Sequence, residues 1–179
     1  VLDYKPHVKV YDLSGNYKRT LPVPIKVRDR EMYPYSDSHL VLFKEVPDTE
    51  IGQADKDFAP YQPIILLEKT TGETTTLPYT KTSNASIRLS SGWVNNNAIY
   101  ASGRNIYLSD VSSDTIYQLH PSGHTIEPKI VRTPSVNSMD GERFLLNLEG
   151  SSNRYGFFRR TNKEIKGKAA QSMQEWMYD

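Results

Sequence analysis

Three copies of one short hairpin constrain this chain more than any other feature. Each copy has an apolar strand, a polar turn that contains glycine, and a return strand. The turn glycines Gly15, Gly72 and Gly123 lie 57 and 51 residues apart, and glycine adopts a positive φ without steric cost. A hairpin that recurs at this spacing predicts a repeat architecture, either a propeller or an array. The copies are "HVKVYDLSGNYKRTLPVP" (7–24), "PIILLEKTTGETTTLPY" (63–79) and "TIYQLHPSGHTIEPKIV" (115–131).

Further strands lie between the hairpins and complete each unit. The segments "HLVLFKEV" (39–46) and "NIYLSDV" (105–111) each precede a hairpin, and the weaker segments 26–35 and 93–102 precede them in turn. A strand with one face in water would alternate apolar and polar residues, whereas 40–43 and 64–67 are continuously apolar. We therefore expect four antiparallel strands per unit, in sheets covered on both faces.

The predicted fold class is all-β, because Tyr, Thr, Pro and Gly are abundant and helical periodicity is absent before the last residues. The predicted architecture is a β-propeller of four-stranded antiparallel meander blades, with about three blades present. As one partial domain, 1–25 would end one blade, 26–82 and 83–133 would form two blades, and 134–179 would begin the next. The last five residues are predicted as a strand, and 165–174 could be helix or strand.

Composition excludes several classes of function. A formal net charge of +1 gives no general attraction to nucleic acid. The chain has no cysteine, so it has neither disulfides nor thiolate metal ligands. It also lacks an apolar stretch near the roughly 20 residues of a membrane helix, so no transmembrane segment is predicted. A basic cluster near the end is interpreted as a solvated face; its members are Arg159, Arg160, Lys163, Lys166 and Lys168.

The repeats resemble the six-bladed β-propeller proteins of Bacteroidetes, with some similarity to NHL-type repeats. The resemblance is carried by "VKVYDLSGNYKRTL" (8–21), "YLSDVSSDTIYQLHPSG" (107–123) and "PKIVRTPSV" (128–136). It implies a six-bladed ring, export to the periplasm or cell surface, in some members as a lipoprotein, and no established activity. This chain is expected to hold only about half of such a ring. A half ring would be either a fragment of a longer chain or a self-associating protein that pairs through its open blades.

No catalytic or cofactor-binding motif is present, so no cofactor is predicted. His120 and His124 flank a turn and are interpreted as solvent-exposed turn residues, and His7 and His39 as ordinary surface residues. Asp110, Ser112 and Asp114 place oxygens at alternate positions, as a calcium loop begins, but the glycine and distal glutamate of that loop are missing. The preferred interpretation is a turn in which both carboxylates cap backbone N–H groups. No metal site is predicted, with Asp110 and Asp114 the only weak candidates.

Aromatic residues suggest a binding surface. Side chains that could form a platform for carbohydrate are Tyr33, Tyr35, Tyr61, Trp93 and Trp176. The preferred function is a non-catalytic binding or interaction module of the bacterial cell envelope, whose ligand is a protein or a carbohydrate. The alternative is a hydrolase or lyase with a site at the ring axis, which depends on fold analogy alone.

Overall fold

The computed structural model describes residues 7–23, 27–44, 60–80, 98–110, 113–133, 135, 144–152, 154–162 and 174–178. Within these ranges every regular element is a β-strand, which confirms the predicted all-β class. None of these ranges contains a helix that is long and apolar enough to cross a membrane. The strands are β1 His7–Tyr11, β2 Tyr17–Pro22, β3 Val27–Pro34, β4 His39–Lys44, β5 Ile64–Glu68, β6 Thr74–Thr76, β7 Ile99–Ser102, β8 Asn105–Leu108, β9 Thr115–His120, β10 Thr125–Val131, β11 Phe144–Ser151, β12 Gly156–Asn162 and β13 Gln174–Tyr178.

The strands form four antiparallel sheets, in which each strand pairs with its neighbour in the chain. Sheet I contains β1 and β2, sheet II β3 to β6, sheet III β7 to β10, and sheet IV β11 to β13. Sheets II and III confirm the expectation of four-stranded antiparallel units. The strand predicted for the last five residues is present as β13, whereas most of 165–174 lies outside the described residues.

The hairpin turns are set by local chemistry. Gly15, Gly72 and Gly123 all have positive φ, as the turn pattern predicted. In the first turn, the Asp12 carboxylate accepts hydrogen bonds from the backbone N–H groups of Ser14 and Asn16, at 3.0 and 2.8 Å. These bonds and the Lys18 ammonium at 3.0 Å lower the pKa of Asp12. Such side-chain bonds to the backbone stabilise the turn against competing conformations.

The sheets stack face to face in the order I, II, III, IV, because each inner sheet has two apolar faces. Leu42 and Leu67 of sheet II pack on Leu21 and Val23 of sheet I. The opposite face of sheet II packs on sheet III through the largest buried cluster. That cluster contains Tyr35, Val41, Phe43, Ile64, Leu66, Leu77, Ala98, Ile99, Ile106, Leu108 and Leu119. The continuous apolar runs 40–43 and 64–67 are thus buried from both sides.

Sheet III packs on sheet IV through a smaller cluster. Tyr107 and Ile116 of sheet III meet Leu148 and Phe158 of sheet IV, and all four are buried. The first strands of successive sheets also contact one another, β3 with β7 and β7 with β11. The stack is therefore joined both through its faces and along its first strands.

The two ends of the strands in sheets II to IV differ. At one end, which we call the turn end, short turns connect the strands, including 35–38, 103–104 and 121–124. At the other end, which we call the loop end, β4, β6 and β10 finish. Contacts between sheets join like ends. At the turn end, the Tyr35 hydroxyl of sheet II donates a hydrogen bond to the His120 carbonyl of sheet III at 2.8 Å. At the loop end, the Tyr79 hydroxyl donates one to Asp110 at 3.3 Å.

Candidate functional site

The aromatic side chains predicted as a carbohydrate platform do not share one described surface. Tyr33 is half-buried against the cluster between sheets II and III. Tyr61 lies at the loop end, where the Lys44 ammonium is 5.6 Å from its ring centroid. Trp176 is exposed on β13, in sheet IV. Trp93 lies outside the described residues, and its part in a platform stays a prediction.

Tyr35 belongs to an aromatic group that the sequence did not suggest. It is only 4% exposed, and its ring stacks on His124 with centroids 5.7 Å apart. The His39 ring meets the same His124 edge-on at 5.2 Å. His124 does lie in a turn, as expected, with φ of 52°. His124 is exposed, as predicted, and His39 is half-buried; the sequence did not predict that the turns of sheets II and III meet and bring the rings of Tyr35 and His39 to His124.

Asp110 and Asp114 hold the loop end together. Asp110 is only 4% exposed and accepts a hydrogen bond from the Tyr79 hydroxyl. Burial of Tyr79 and the negative charge of Asp110 both raise the pKa of that hydroxyl. The Asp114 carboxylate accepts a hydrogen bond from the Ser135 hydroxyl, and its carbonyl accepts one from the Arg132 backbone N–H at 2.7 Å. Burial lowers the pKa of Arg132, which the nearby Asp114 carboxylate partly opposes.

One part of the predicted turn is confirmed, because the Asp110 backbone carbonyl accepts the Ser113 N–H at 2.8 Å. Capping of backbone N–H groups by the two carboxylates stays a prediction, since residues 111–112 lie outside the described residues. Across the described ranges, no three His, Asp or Glu side chains are grouped closely enough to hold a metal ion. The hydrogen bonds with Tyr79 and Ser135 give Asp110 and Asp114 a structural role.

A cleft between sheets III and IV has the properties of a binding site. It lies at the turn end and has a volume of about 450 Å³. Its floor on sheet III consists of side chains that face sheet IV, and its other wall is the turn between β11 and β12. The lining residues are Asn105, Tyr107, Ile116, Gln118, Lys129, Ile130, Leu148, Ser151, Ser152, Arg154, Tyr155 and Gly156.

The cleft combines uncharged hydrogen-bonding groups with two cations. The side-chain amides of Gln118 and Asn105 lie 3.2 Å apart and hold each other in place. Lys129 approaches from β10, and the Arg154 guanidinium lies over the Tyr155 ring, 5.1 Å from its centroid. Among the lining side chains that the structure describes there is no carboxylate. The lining therefore carries a net positive charge and suits an anionic ligand.

The turn that carries Arg154 and Tyr155 is fixed by its own serine. The Ser152 hydroxyl accepts hydrogen bonds from the backbone N–H groups of Arg154 and Tyr155, at 3.3 and 2.9 Å. The preceding carbonyl, of Ser151, accepts a hydrogen bond from the Ser102 hydroxyl of sheet III. The wall of the cleft is thereby attached to its floor, which limits the reorganisation that ligand binding requires.

Sequence reasoning missed this cleft because its polar groups come from four separate strands and one turn. The one available signal was the segment "SSNRYG" (151–156), a turn that carries both a cation and an aromatic ring. Two members of the basic cluster, Arg159 and Arg160, lie on β12. Arg159 forms an ion pair with Glu149 at 3.3 Å, Arg160 faces the other end of the sheet III–IV interface, and its three lysines lie outside the described residues.

Comparison with protein-family models, with curated proteins and with solved structures finds no match for this chain.

Proposed function

We propose that this chain is a non-catalytic binding module built as part of a β-propeller and located in a bacterial cell envelope. The propeller is supported by the succession of meander sheets that stack face to face with their first strands in contact. Its location is supported by the sequence resemblance alone. Cell fractionation of the source bacterium tests it, and recovery of the protein in the cytosolic fraction would refute it.

The observation that carries the binding function is the chemistry of the cleft between sheets III and IV. Its described lining residues offer amides, hydroxyls and two cations, and none of them is Asp, Glu, His or Cys. Such a lining can hold and orient a ligand through hydrogen bonds and charge, and leaves Lys129 and the hydroxyl groups as its proton-transferring groups. This favours binding over the hydrolase or lyase alternative.

The ligand class follows from the same residues. A carboxylate would pair with Lys129 and Arg154, because charged groups form the strongest hydrogen bonds in such sites. Ring hydroxyls would bond the Asn105 and Gln118 amides, and an apolar sugar face would stack on Tyr155. The volume of about 450 Å³ is that of a small-ligand site. We therefore propose that the cleft binds an acidic sugar, such as a uronic acid or a short oligomer of it.

Calorimetric titration with galacturonate and with neutral galactose tests this proposal. We expect the acidic sugar to bind about tenfold more tightly, since one charged hydrogen bond contributes about 1.5 kcal/mol. Lys129→Ala and Arg154→Ala should each remove most of that preference. Lys9→Ala, which removes an exposed lysine on sheet I, should leave it unchanged.

Salt provides an independent check, because screening weakens exposed ion pairs. The preference for galacturonate should fall as the salt concentration rises, while galactose binding stays constant. Equal affinities for both sugars, or a preference that survives in Lys129→Ala and Arg154→Ala, would show that the cleft does not recognise the carboxylate.

A further inference from the structure

Two side-chain amides on the floor of the cleft between sheets III and IV form a hydrogen-bonded pair. Asn105 lies at the start of β8 and Gln118 lies on β9. The Gln118 amide nitrogen donates a hydrogen bond to the Asn105 amide oxygen at 3.2 Å. Because each amide has one oxygen and one NH₂ group, this bond leaves the Gln118 oxygen and the Asn105 nitrogen for a ligand. The pair therefore presents one acceptor and one donor to the cleft.

This pattern does not depend on which of the two amides is the donor. If the Asn105 nitrogen donated to the Gln118 oxygen instead, the Asn105 oxygen and the Gln118 nitrogen would be left for a ligand. One acceptor and one donor are presented in both arrangements. Among the hydrogen bonds of the described residues, only the one between the two amides engages these side chains.

The amide pair borders an apolar part of the cleft. Tyr107 lies two residues after Asn105 on the same face of β8, and it is opposite Gln118 in the strand register. Ile116 lies two residues before Gln118 on the same face of β9. Both pack on Leu148 of sheet IV, and all three line the cleft. A small apolar substituent of a ligand that bonds the amide pair could therefore be buried against these side chains.

An acetamido group is complementary to this surface. Its carbonyl oxygen accepts a hydrogen bond and its N–H donates one, so a single acetamido group can satisfy both free groups of the pair. Its methyl group suits the apolar side chains beside the pair. A ring hydroxyl can also donate and accept, but it does so from one atom and has no apolar part, so it would leave those side chains without a ligand contact.

We propose that the acidic sugar in the cleft is N-acetylated, and that Asn105 and Gln118 recognise its acetamido group. The inference rests on the proposed function, from which the carboxylate and the sugar ring are taken. The two amides are thus assigned a role in specificity, since they select the substituent on the ring while the cations of the lining select the charge.

A peptide contains the same secondary amide, but the cleft favours a sugar. Tyr155 places an aromatic ring in the wall, and such rings stack on the apolar face of a sugar. The volume of about 450 Å³ suits a small compact ligand rather than an extended chain. N-acetylglycine, which has the carboxylate and the acetamido group without a ring, separates the two sources. It should bind at least about tenfold more weakly than the N-acetylated acidic sugar, which corresponds to about 1.4 kcal/mol.

Four sugars with one ring configuration test the inference by calorimetric titration. Galactose and galacturonate differ in the carboxylate alone, whereas N-acetylgalactosamine and N-acetylgalactosaminuronate carry an acetamido group in place of one ring hydroxyl. Each acetamido sugar should bind about tenfold more tightly than its hydroxyl counterpart, which corresponds to about 1.4 kcal/mol. The step from neutral to acidic sugar tests the proposed function, and the step from hydroxyl to acetamido tests this inference.

Two variants assign the preference to the amide pair. Gln118→Met keeps a side chain of similar length and removes both polar atoms of the amide, so it should remove most of the acetamido preference. Gln62→Met, which changes an exposed glutamine outside the cleft, should retain that preference in full. Circular dichroism would verify that both variants are folded, and the four sugars on the unaltered chain remain decisive if Gln118→Met is not.

Three outcomes would overturn the inference. The first is equal affinity within both pairs of hydroxyl and acetamido sugars, even where galacturonate still binds more tightly than galactose. The second is an undiminished acetamido preference in folded Gln118→Met. The third is binding of N-acetylglycine as tightly as N-acetylgalactosaminuronate, which would identify a peptide-like ligand. Equal affinities of acidic and neutral sugars with an intact acetamido preference would instead refute the acidic ligand of the proposed function and support the role of the amides.

Discussion

The two faces of sheet III form very different interfaces. Toward sheet II, sheet III presents Ile106, Leu108 and Leu119, and all three are buried between the two sheets. Toward sheet IV, it presents Asn105 and Gln118 beside Tyr107, and the same kind of stacking leaves a cleft at one end and a groove at the other. One antiparallel sheet can therefore serve as core on one face and as a ligand surface on the other. The residue types on each face decide which of these two roles that face has.

The largest expected effect distinguishes these two faces on a single strand. Leu119 and Ile116 both lie on β9, but Leu119 faces sheet II and is 1% exposed, whereas Ile116 faces sheet IV and is 8% exposed. We expect Leu119→Ala to lower the free energy of unfolding by about 3–5 kcal/mol, because it leaves a cavity in a fully buried part of the core. Ile116→Ala should cost about 2 kcal/mol, because its site borders the cleft and water can enter the space.

Urea denaturation of both variants measures this difference. We expect Leu119→Ala to have the lower urea midpoint at an unchanged slope, which would make the interface with sheet II the more sensitive of the two. Equal losses would mean that the interface with sheet IV is as tightly packed as that with sheet II.

A glycine pair tests how tightly sheet IV is packed around Phe158. A Cβ added to Gly156 would lie 2.8 Å from Cε2 of Phe158, whereas one added to Gly150 would meet nothing within 4 Å. Gly156→Ala should therefore destabilise the protein by about 1–3 kcal/mol through overpacking. Gly150→Ala should change stability by less than about 0.5 kcal/mol. Thermal unfolding of the two variants measures both effects, and a neutral Gly156→Ala would show that the Phe158 ring moves freely.

The smallest expected effect concerns the hydrogen bond from Tyr35 that joins sheets II and III at the turn end. Tyr35→Phe should cost about 1 kcal/mol near neutral pH. Burial raises the pKa of Tyr35 to about 12, so the folded state retains this proton above the ordinary tyrosine pKa of about 10. Stability should therefore fall as the pH rises from about 10 to about 12.

The pH dependence separates Tyr35 from the other buried tyrosines. Tyr35→Phe should make the alkaline loss of stability less steep, because the replacement cannot ionise. Denaturation midpoints across this alkaline range, with tyrosinate absorbance as the ionisation signal, measure it. An unchanged slope would assign the alkaline loss to other groups, among them Tyr79, whose pKa is also raised.

The all-β class and the four-stranded antiparallel sheets were predictable because their signals are local. The turn glycines at 15, 72 and 123 have the positive φ that the hairpin pattern requires. The continuous apolar runs at 40–43 and 64–67 lie in strands buried on both faces. Turn chemistry and strand burial are properties of a few consecutive residues, so a single sequence can show them.

The sites were not predictable, because they depend on which turns and faces meet across sheets. Tyr35 and His124 are far apart in the chain, and their contact exists only because sheets II and III align their turn ends. The cleft likewise joins Gln118 to the turn that carries Arg154. No spacing in the sequence encodes such a contact, since register between sheets is fixed by side-chain packing rather than by local pattern.

The serial stacking of the sheets has a consequence for cooperativity. Within the described residues, sheets I and IV each pack on one neighbour, so the free energy of this four-sheet stack, taken by itself, approximates a sum over nearest-neighbour interfaces, as in a linear Ising chain. Opening then propagates inward from a terminal unit rather than outward from the centre. A ligand held between sheets III and IV at a hundred times its Kd would add about 2.7 kcal/mol to one terminal coupling. Occupancy of one small cleft would thereby set how far unfolding penetrates along the whole array.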